Sequence, residues 1–409
     1  MRPYLVCCFL MITLYPVGID LYLVALPQIG VALEASAAQL HTAFSAYLFG
    51  MAATVLAGGL LADRYGRKPV ILGGALIFVL ASLAAGSADS ITAFLLGRIG
   101  QGIGAGTLYI MTFTVLRDVL VPARLAAVLS MINGVICVIP VLAPLLGYLI
   151  LARFDWPAIF QAMALLGAVV ALVTLLWLRE TRPGEGRQTV SHTAERLGFL
   201  RTRQYLWMCG LTSTGMTCIL TYVSTSPMIL MTGMGLDTAG YAEIMMAMAA
   251  ISMITSFLNP VLIRRWGKER VLAWAHGALG VALLLLLASR QEALLMALAH
   301  DGSSPLWALW LIRLGFAFVC IGFSASFGIA MGEALASCRH QIALASATLC
   351  IIQIASSALY IWLMGWLGLA PLLLLAYSLL LAVLLYLAFR IMGPVADQVP
   401  CDPQSVEKI

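Results

Sequence analysis

Charge is what this sequence has least of. Asp, Glu, Lys and Arg make up 10% of its 409 residues, against about 25% in soluble domains. Hydrophobic residues reach 62% and the mean hydropathy is +1.00. So few charges cannot coat a globule of this size, which excludes an ordinary soluble enzyme, a nucleic-acid binder and a disordered chain. Cys-x-x-Cys pairs and His/Cys ligand clusters are also missing. Cys7, Cys8, Cys137, Cys209, Cys218, Cys320 and Cys350 sit in apolar runs, so neither disulfides nor zinc sites are expected. There is no Gly-x-x-x-x-Gly-Lys phosphate loop, which argues against ATP as an energy source. Without a clustered nucleophile, a metal set or a sizeable soluble domain, an enzyme, a sensor and a scaffold are all disfavoured, and no cofactor is expected.

What the chain does have is long apolar runs. A helix needs about 20 such residues to cross the hydrocarbon. Candidates fall near 4–26, 41–61, 70–88, 91–113, 126–151 and 158–178, then near 205–230, 240–263, 270–289, 306–332, 341–366 and 368–390. The first run is too long for a signal peptide and contains Asp20, so it is read as an uncleaved span. The expected architecture is an all-α integral membrane protein of twelve spans: a six-helix bundle over 1–178, a cytoplasmic linker over 179–204, a second bundle over 205–390 and a tail over 391–409. Lys and Arg crowd alternate loops, among them Arg64, Arg67, Lys68, Arg117, Arg124, Arg264, Arg265 and Lys268, whereas only Arg153 and Arg290 fall in loops on the other side. The positive-inside rule then puts both termini in the cytoplasm. The net charge of +5 is therefore a topology signal and not a sign of an anionic partner.

Two features hint at a repeat. Gly66-Arg67-Lys68 follows span two as Trp266-Gly267-Lys268 follows span eight. Arg98 and Arg313 sit at similar depths in spans four and ten. Paired features in two six-span halves are what a parallel-repeat transporter carries.

The loop after span two reads Gly59-Leu60-Leu61-Ala62-Asp63-Arg64-Tyr65-Gly66-Arg67-Lys68. It resembles the Gly-x-x-x-Asp-Arg-x-Gly-Arg-Lys loop motif of the major facilitator superfamily at every defining position. Arg98-Ile99-Gly100-Gln101-Gly102 in span four is similar to that superfamily's Arg-x-x-Gln-Gly motif. In span five, Ala143-Pro144-Leu145-Leu146-Gly147 is similar to its antiporter motif, with Ala143 in place of a Gly and Tyr148 in place of another. Gly18-Ile19-Asp20 and Ile139-Pro140-Val141-Leu142-Ala143-Pro144 resemble the drug:proton antiporter branch, which includes bicyclomycin and chloramphenicol exporters. The resemblance implies a monomer in the bacterial inner membrane that exports small amphipathic drugs such as chloramphenicol in exchange for protons.

Asp20 is the most informative residue. It and Arg98 lie roughly 10 Å below the same membrane surface, counting 1.5 Å per residue, and Arg313 reaches a similar level. An ionisable group facing lipid at that depth costs at least about 2.5–3.5 kcal/mol, so each should face a cavity or a partner. Asp20 is read as a proton carrier tuned by Arg98, or alternatively as half of a static clasp. Asp63, Arg64, Gly66, Arg67 and Lys68, with Gly59, form either a conformational latch that engages a neighbouring helix end or a solvated turn rich in topology signals. Gly134, Pro140, Ala143, Pro144 and Gly147 make a small-residue face suited to a hinge or to tight packing. Tyr22, Tyr47, Gln101, Asn133, Arg313, Gln353 and Tyr360 are the sparse polar groups expected to line a mostly apolar drug cavity, to which the nineteen methionines can add adaptable walls. His41 opens span two as an interfacial residue or a proton relay. The alternative to efflux is a same-fold importer of a sugar, amino acid or related metabolite, which needs more committed polar ligands than these spans supply.

Overall fold

The computed structural model describes residues 2–120, 122–181, 202–298, 306–336 and 342–392. Most of the expected linker and tail, including Arg182, Arg187, Arg196, Arg201 and Arg339, lies outside them. So do the side chain of Asn133 and the surroundings of Gly59 and Gly134, although all three sit in helices. Every described element is helical: α1 (Arg2–Asp20), a 3-10 turn (Leu23–Ala25), α2 (Leu26–Ala32), α3 (Ala37–Tyr65), α4 (Arg67–Gly86), α5 (Ile91–Val119), α6 (Pro122–Leu151) and α7 (Pro157–Trp177). Then come α8 (Arg203–Pro227), a π-helical turn (Met228–Gly233), α9 (Thr238–Trp266), α10 (Lys268–Leu298), α11 (Leu306–Ala336), α12 (Ile342–Trp366) and α13 (Pro371–Met392). Among the described residues, ten segments are long and apolar enough to cross a membrane, and α3 and α6 add helices of 29 and 30 residues.

Local chemistry sets the helix ends. Ser36 and Gln39 form a reciprocal capping box at the start of α3, satisfying donors that the first turn leaves open. Ser90 and Asp237 cap α5 and α9, Pro157 occupies the first position of α7 and Pro27 the second of α2. Gly66 and Gly267 each separate two long helices with a single residue, at φ 96° and 80°; only glycine takes that geometry without strain.

Packing divides the helices into two groups. Helix α1 lies against α5, α6 and α7, while α3 packs on α5 and α4 on α5 and α7. In the second group α8 lies against α11, α12 and α13, while α9 packs on α11 and α10 on α11 and α13. The groups meet chiefly along α3–α12 and α6–α9. Glycines let the first group close tightly: a Cβ on Gly102 would stand 2.0 Å from the Tyr47 carbonyl of α3, and one on Gly104 would stand 2.7 Å from α4. The outer faces stay apolar. Leu76, Leu80 and Leu83 on α4 and Leu380, Leu384 and Leu387 on α13 are exposed, the surface a lipid-facing helix presents.

One difference from the sequence reading concerns the first span. It is not one helix to Leu26, because α1 ends at Asp20 and the chain passes through the 3-10 turn before helix resumes. The turn is buried. Val24 packs into an apolar cluster with Tyr222, Ile229 and Tyr241 of the second group.

Candidate functional site

Asp20 is the one buried carboxylate among the described residues, with 7% of its surface accessible. It occupies the last position of α1, where the helix gives way to the 3-10 turn. Among the described residues, no ion pair or side-chain hydrogen bond engages its carboxyl. Around it stand tyrosines from both groups: Tyr15, Tyr22 and Tyr47, and across the boundary Tyr222 and Tyr241, all within electrostatic reach. The small-residue face of α6 presses on the same break. A Cβ on Gly147 would stand 2.7 Å from Val24 and 2.8 Å from the Leu21 carbonyl. Ala143 and Pro144 are buried beside it, and Pro140 is half-buried.

Arg98 does not pair with Asp20. Its fully buried guanidinium lies between two rings, 4.1 Å from the Tyr22 centroid and 4.6 Å from that of Tyr47. Nη1 donates to the Gly18 carbonyl of α1 at 3.0 Å and to Gln101 Oε1 at 2.7 Å, and Nε donates to the Ala43 carbonyl of α3. Gln101 Nε2 in turn donates to Ser82 Oγ on α4 at 2.8 Å and reaches Met163 Sδ on α7. Arg98 and Gln101 thus join α1, α3, α4, α5 and α7 into one hydrogen-bonded hub, two residues from Asp20.

The other residues expected around a cavity scatter. Tyr47 donates its hydroxyl to the Tyr15 carbonyl within the first group, and Tyr360 donates to the Leu374 carbonyl within the second. Arg313 lies 5.5 Å from the ring of Trp310, an exposed residue. Tyr22 keeps a buried hydroxyl without a partner. Gln353, 4% exposed, has an unpartnered Nε2 on the boundary helix α12.

At one end of the bundle the two groups are sealed. His41 Nδ1 on α3 and Ser224 Oγ on α8 share a hydrogen bond at 3.1 Å, and a Cβ on Gly365 of α12 would stand 3.2 Å from His41 Cβ. At the Gly66 end the described ion pairs stay inside each group. Arg67 binds Asp118 at 2.9 Å and Asp63 at 3.1 Å. Glu180 accepts from the backbone N–H groups of Arg67 and Lys68 at 2.8 and 3.1 Å, a carboxylate on the N-terminus of α4 where the helix dipole favours it. Lys68 Nζ donates to the Leu175 carbonyl at the end of α7, and Arg64 lies over the Tyr65 ring. The second group repeats part of this, with Lys268 and Glu333 paired at 2.6 Å.

Sequence reasoning missed Asp118 and Glu180, although both are carboxylates at the ends of apolar spans. It also missed the hydroxyl-rich stretch Thr212–Ser226 of α8, whose threonines alone repeat every two to four residues.

Against this geometry the comparisons are decisive for family. The Major Facilitator Superfamily model matches residues 8–337. The chain belongs to the major facilitator superfamily. It is a multi-pass membrane transport protein and not an enzyme. Curated relatives include the multidrug resistance protein MdtL of Shewanella oneidensis, 43% identical over 98% of this chain and 99% of that one. MdtL of Vibrio parahaemolyticus is 40% identical over 96% of each, and MdtL of Escherichia coli is 41% identical over 94% and 93%. Among solved structures, a D-xylose–proton symporter superposes with a TM-score of 0.73 at 15% identity, covering 94% of this chain and 96% of that one. A bacterial homolog of the human lysosomal transporter Spinster gives 0.73 at 17%, covering 95% and 96%. At such identity these two establish the superfamily fold alone.

Proposed function

We propose that the chain exports small amphipathic drugs such as chloramphenicol across the bacterial inner membrane in exchange for protons, by alternating access. The observation that carries this reading is Asp20: among the described residues the one buried carboxylate and in no ion pair with them, at a helix break packed between the two helix groups. A carrier must take up a proton in one conformation and release it in the other, so its surroundings must change with the conformation. A carboxyl at the moving boundary meets that need, whereas one held by a fixed arginine does not. Arg98 then acts through the hub, fixing the Gly18 carbonyl and the end of α1, and carries no proton itself. The full-length relatives named as multidrug resistance proteins support the choice of cargo.

The matching packing partners of α1 and α8, α3 and α9, and α4 and α10 support twelve spans in two six-helix pseudo-repeats. We take their bounds as 1–178 and 205–390, with a cytoplasmic linker over 179–204, a cytoplasmic tail over 391–409 and a monomeric chain. The basic Gly66 end is the cytoplasmic one, with both termini there. The His41–Ser224 contact is then the outer seal, and the conformation faces inward. With the seal closed, Asp63 turns to Arg67; in the outward state it is freed to engage the second bundle, which gives the loop its latch role. Inward proton movement down the membrane potential yields about 2.3 kcal/mol per 100 mV, enough to hold a gradient of an uncharged drug.

The test is efflux from a pump-deficient bacterium. Cells producing the chain should accumulate several-fold less chloramphenicol than control cells, and a protonophore should abolish the difference. Equal accumulation with and without the protein, or efflux indifferent to the protonophore, contradicts the proposal.

A further inference from the structure

Each helix group has a basic turn after its second long helix, and the structure treats the two turns differently. In the first group the cations of the turn have internal partners: Arg67 binds Asp118 and Asp63, and Lys68 donates to the Leu175 carbonyl. In the second, Lys268 pairs with Glu333, and Glu269 lies 3.9 Å from Arg390. That leaves Arg264, Arg265 and Arg270, all exposed and in no ion pair among the described residues. Three uncompensated guanidinium groups thus flank Gly267, where the surrounding space is open.

The neighbourhood of these arginines is first aromatic, then apolar. The rings of Trp266 at the end of α9 and Trp274 on α10 lie 4.5 Å apart at 59°, and the Arg265 guanidinium stands 5.7 Å from the Trp266 centroid. Trp274 is 56% exposed, a large apolar surface beside three charges. From Arg270 the exposed positions of α10 continue as Trp274, Gly277, Val281 and Leu284, three or four residues apart and so on one helix face. Gly277 has nothing within 4 Å of where a Cβ would stand, which makes a notch in that face. Helix rise puts Val281 about 16 Å from Arg270, roughly half the thickness of a hydrocarbon core. Behind the face, Val271 and Ala275 pack with Ala325 and Ile329 of α11, so the exposed strip rests on a fixed support.

We propose that this face binds one anionic phospholipid, diphosphatidylglycerol, with its two phosphates on Arg264, Arg265 and Arg270 and an acyl chain running past Trp274 into the Gly277 notch. The features follow the order of the lipid itself: positive charge, then aromatic rings at headgroup level, then an apolar strip one leaflet deep. Guanidinium groups match phosphate oxygens in pairs. A headgroup with two phosphates engages the arginines on both sides of the Gly267 turn at once, which a single phosphate does not. A soluble anion would use the arginines and leave the tryptophan pair and the α10 strip idle. The site lies on α10, which packs on α11 and α13, and not at the boundary between the helix groups. It therefore stands or falls independently of cargo and of proton coupling.

The experiment is native mass spectrometry of the delipidated full-length chain, titrated with diphosphatidylglycerol, phosphatidylglycerol and phosphatidylethanolamine. Wild type should bind one diphosphatidylglycerol about tenfold more tightly than phosphatidylethanolamine, and more tightly than phosphatidylglycerol. Arg270→Gln should weaken that binding about fivefold, the contribution of one basic side chain at an anionic headgroup. Arg264→Gln combined with Arg265→Gln should weaken it further, whereas Arg117→Gln, which removes an exposed cation from the end of α5, should change nothing. Gly277→Leu fills the notch and should also weaken binding, a loss that charge alone does not predict. Should the arginine variants fail to insert, tryptophan fluorescence in nanodiscs gives a second reading. Brominated diphosphatidylglycerol should quench the wild-type chain more than brominated phosphatidylethanolamine does, and Trp274→Phe should remove most of that difference. Equal affinity for the three lipids, an Arg270→Gln chain that binds like Arg117→Gln, a Gly277→Leu chain that binds like wild type, or equal quenching by the two brominated lipids overturns the proposal. So does displacement of the lipid by inorganic pyrophosphate at equal concentration, which would give the arginines to a soluble anion.

Discussion

At the scale of single residues, Asp20 and Arg98, two buried charges of the first bundle, have opposite situations. Asp20 has no ion-pair partner among the described residues and sits where the backbone changes from α-helix to 3-10 turn. Arg98 has two rings, two backbone carbonyls and Gln101 around it, bonded through Nε and Nη1. Removing Arg98 strands those acceptors in the core, and hydrogen bonds to charged groups contribute about 1.5–3 kcal/mol each. Arg98→Ala should therefore lower the melting temperature of the detergent-purified chain and reduce its folded yield, measured by thermal shift and size exclusion. Arg98→Lys should recover only part of the loss, since an ammonium cannot span the same acceptors. An Arg98→Ala chain that melts like wild type contradicts the hub.

Elements show where close approach matters. A Cβ on Gly102 meets the Tyr47 carbonyl at 2.0 Å, whereas Gly73 has open space around it. Gly102→Ala should wedge α3 from α5 and sharply reduce monodisperse protein, while Gly73→Ala should express normally. The two turn glycines offer a finer comparison. Both have positive φ, so alanine costs about 1 kcal/mol at either. At Gly66, however, the new Cβ also stands 2.7 Å from Glu180 Oε2, while at Gly267 it meets nothing within 4 Å. Gly66→Ala should lower the melting temperature more than Gly267→Ala, and equal losses would argue against Glu180 as the cap of α4.

The helices were legible because apolar length alone dictates them; span ends near 61 and 263 fall within several residues of observed ends. The break after Asp20 was not, because Tyr22-Leu23-Val24-Ala25-Leu26 continues the apolar run and reads as uninterrupted helix. Asp20 stood out as a charge in an apolar run, and the Gly66 loop stood out through its motif. The hub was hidden for a different reason. Its acceptors at Gly18 and Ala43 are backbone carbonyls, which leave no trace in residue identity. Tyr47, Gln101 and Tyr360 were polar residues in spans, but each spends its polar atoms within its own helix group.

For the whole molecule, the issue is the balance between two arrangements of the bundles. One hydrogen bond across the boundary, His41 to Ser224, contributes about 1 kcal/mol, which shifts a two-state population about fivefold. His41→Ala with Ser224→Ala should move the chain toward the outward-open state, read as a longer distance between spin labels at Val31 and Thr232 near that end. An unchanged distance distribution would show that apolar packing around Gly365 carries the seal by itself.

The most direct test of the central claim is proton flux in sealed proteoliposomes carrying either the wild-type chain or Asp20→Asn. With chloramphenicol present on one side, the wild type should move protons in the direction opposite to the drug, and a pH gradient should accelerate drug movement. Asp20→Asn should insert, fold and bind drug, yet show neither drug-driven proton flux nor acceleration by the gradient. If Asp20→Asn exchanges drug for protons at the wild-type rate, Asp20 is not the carrier and the account fails.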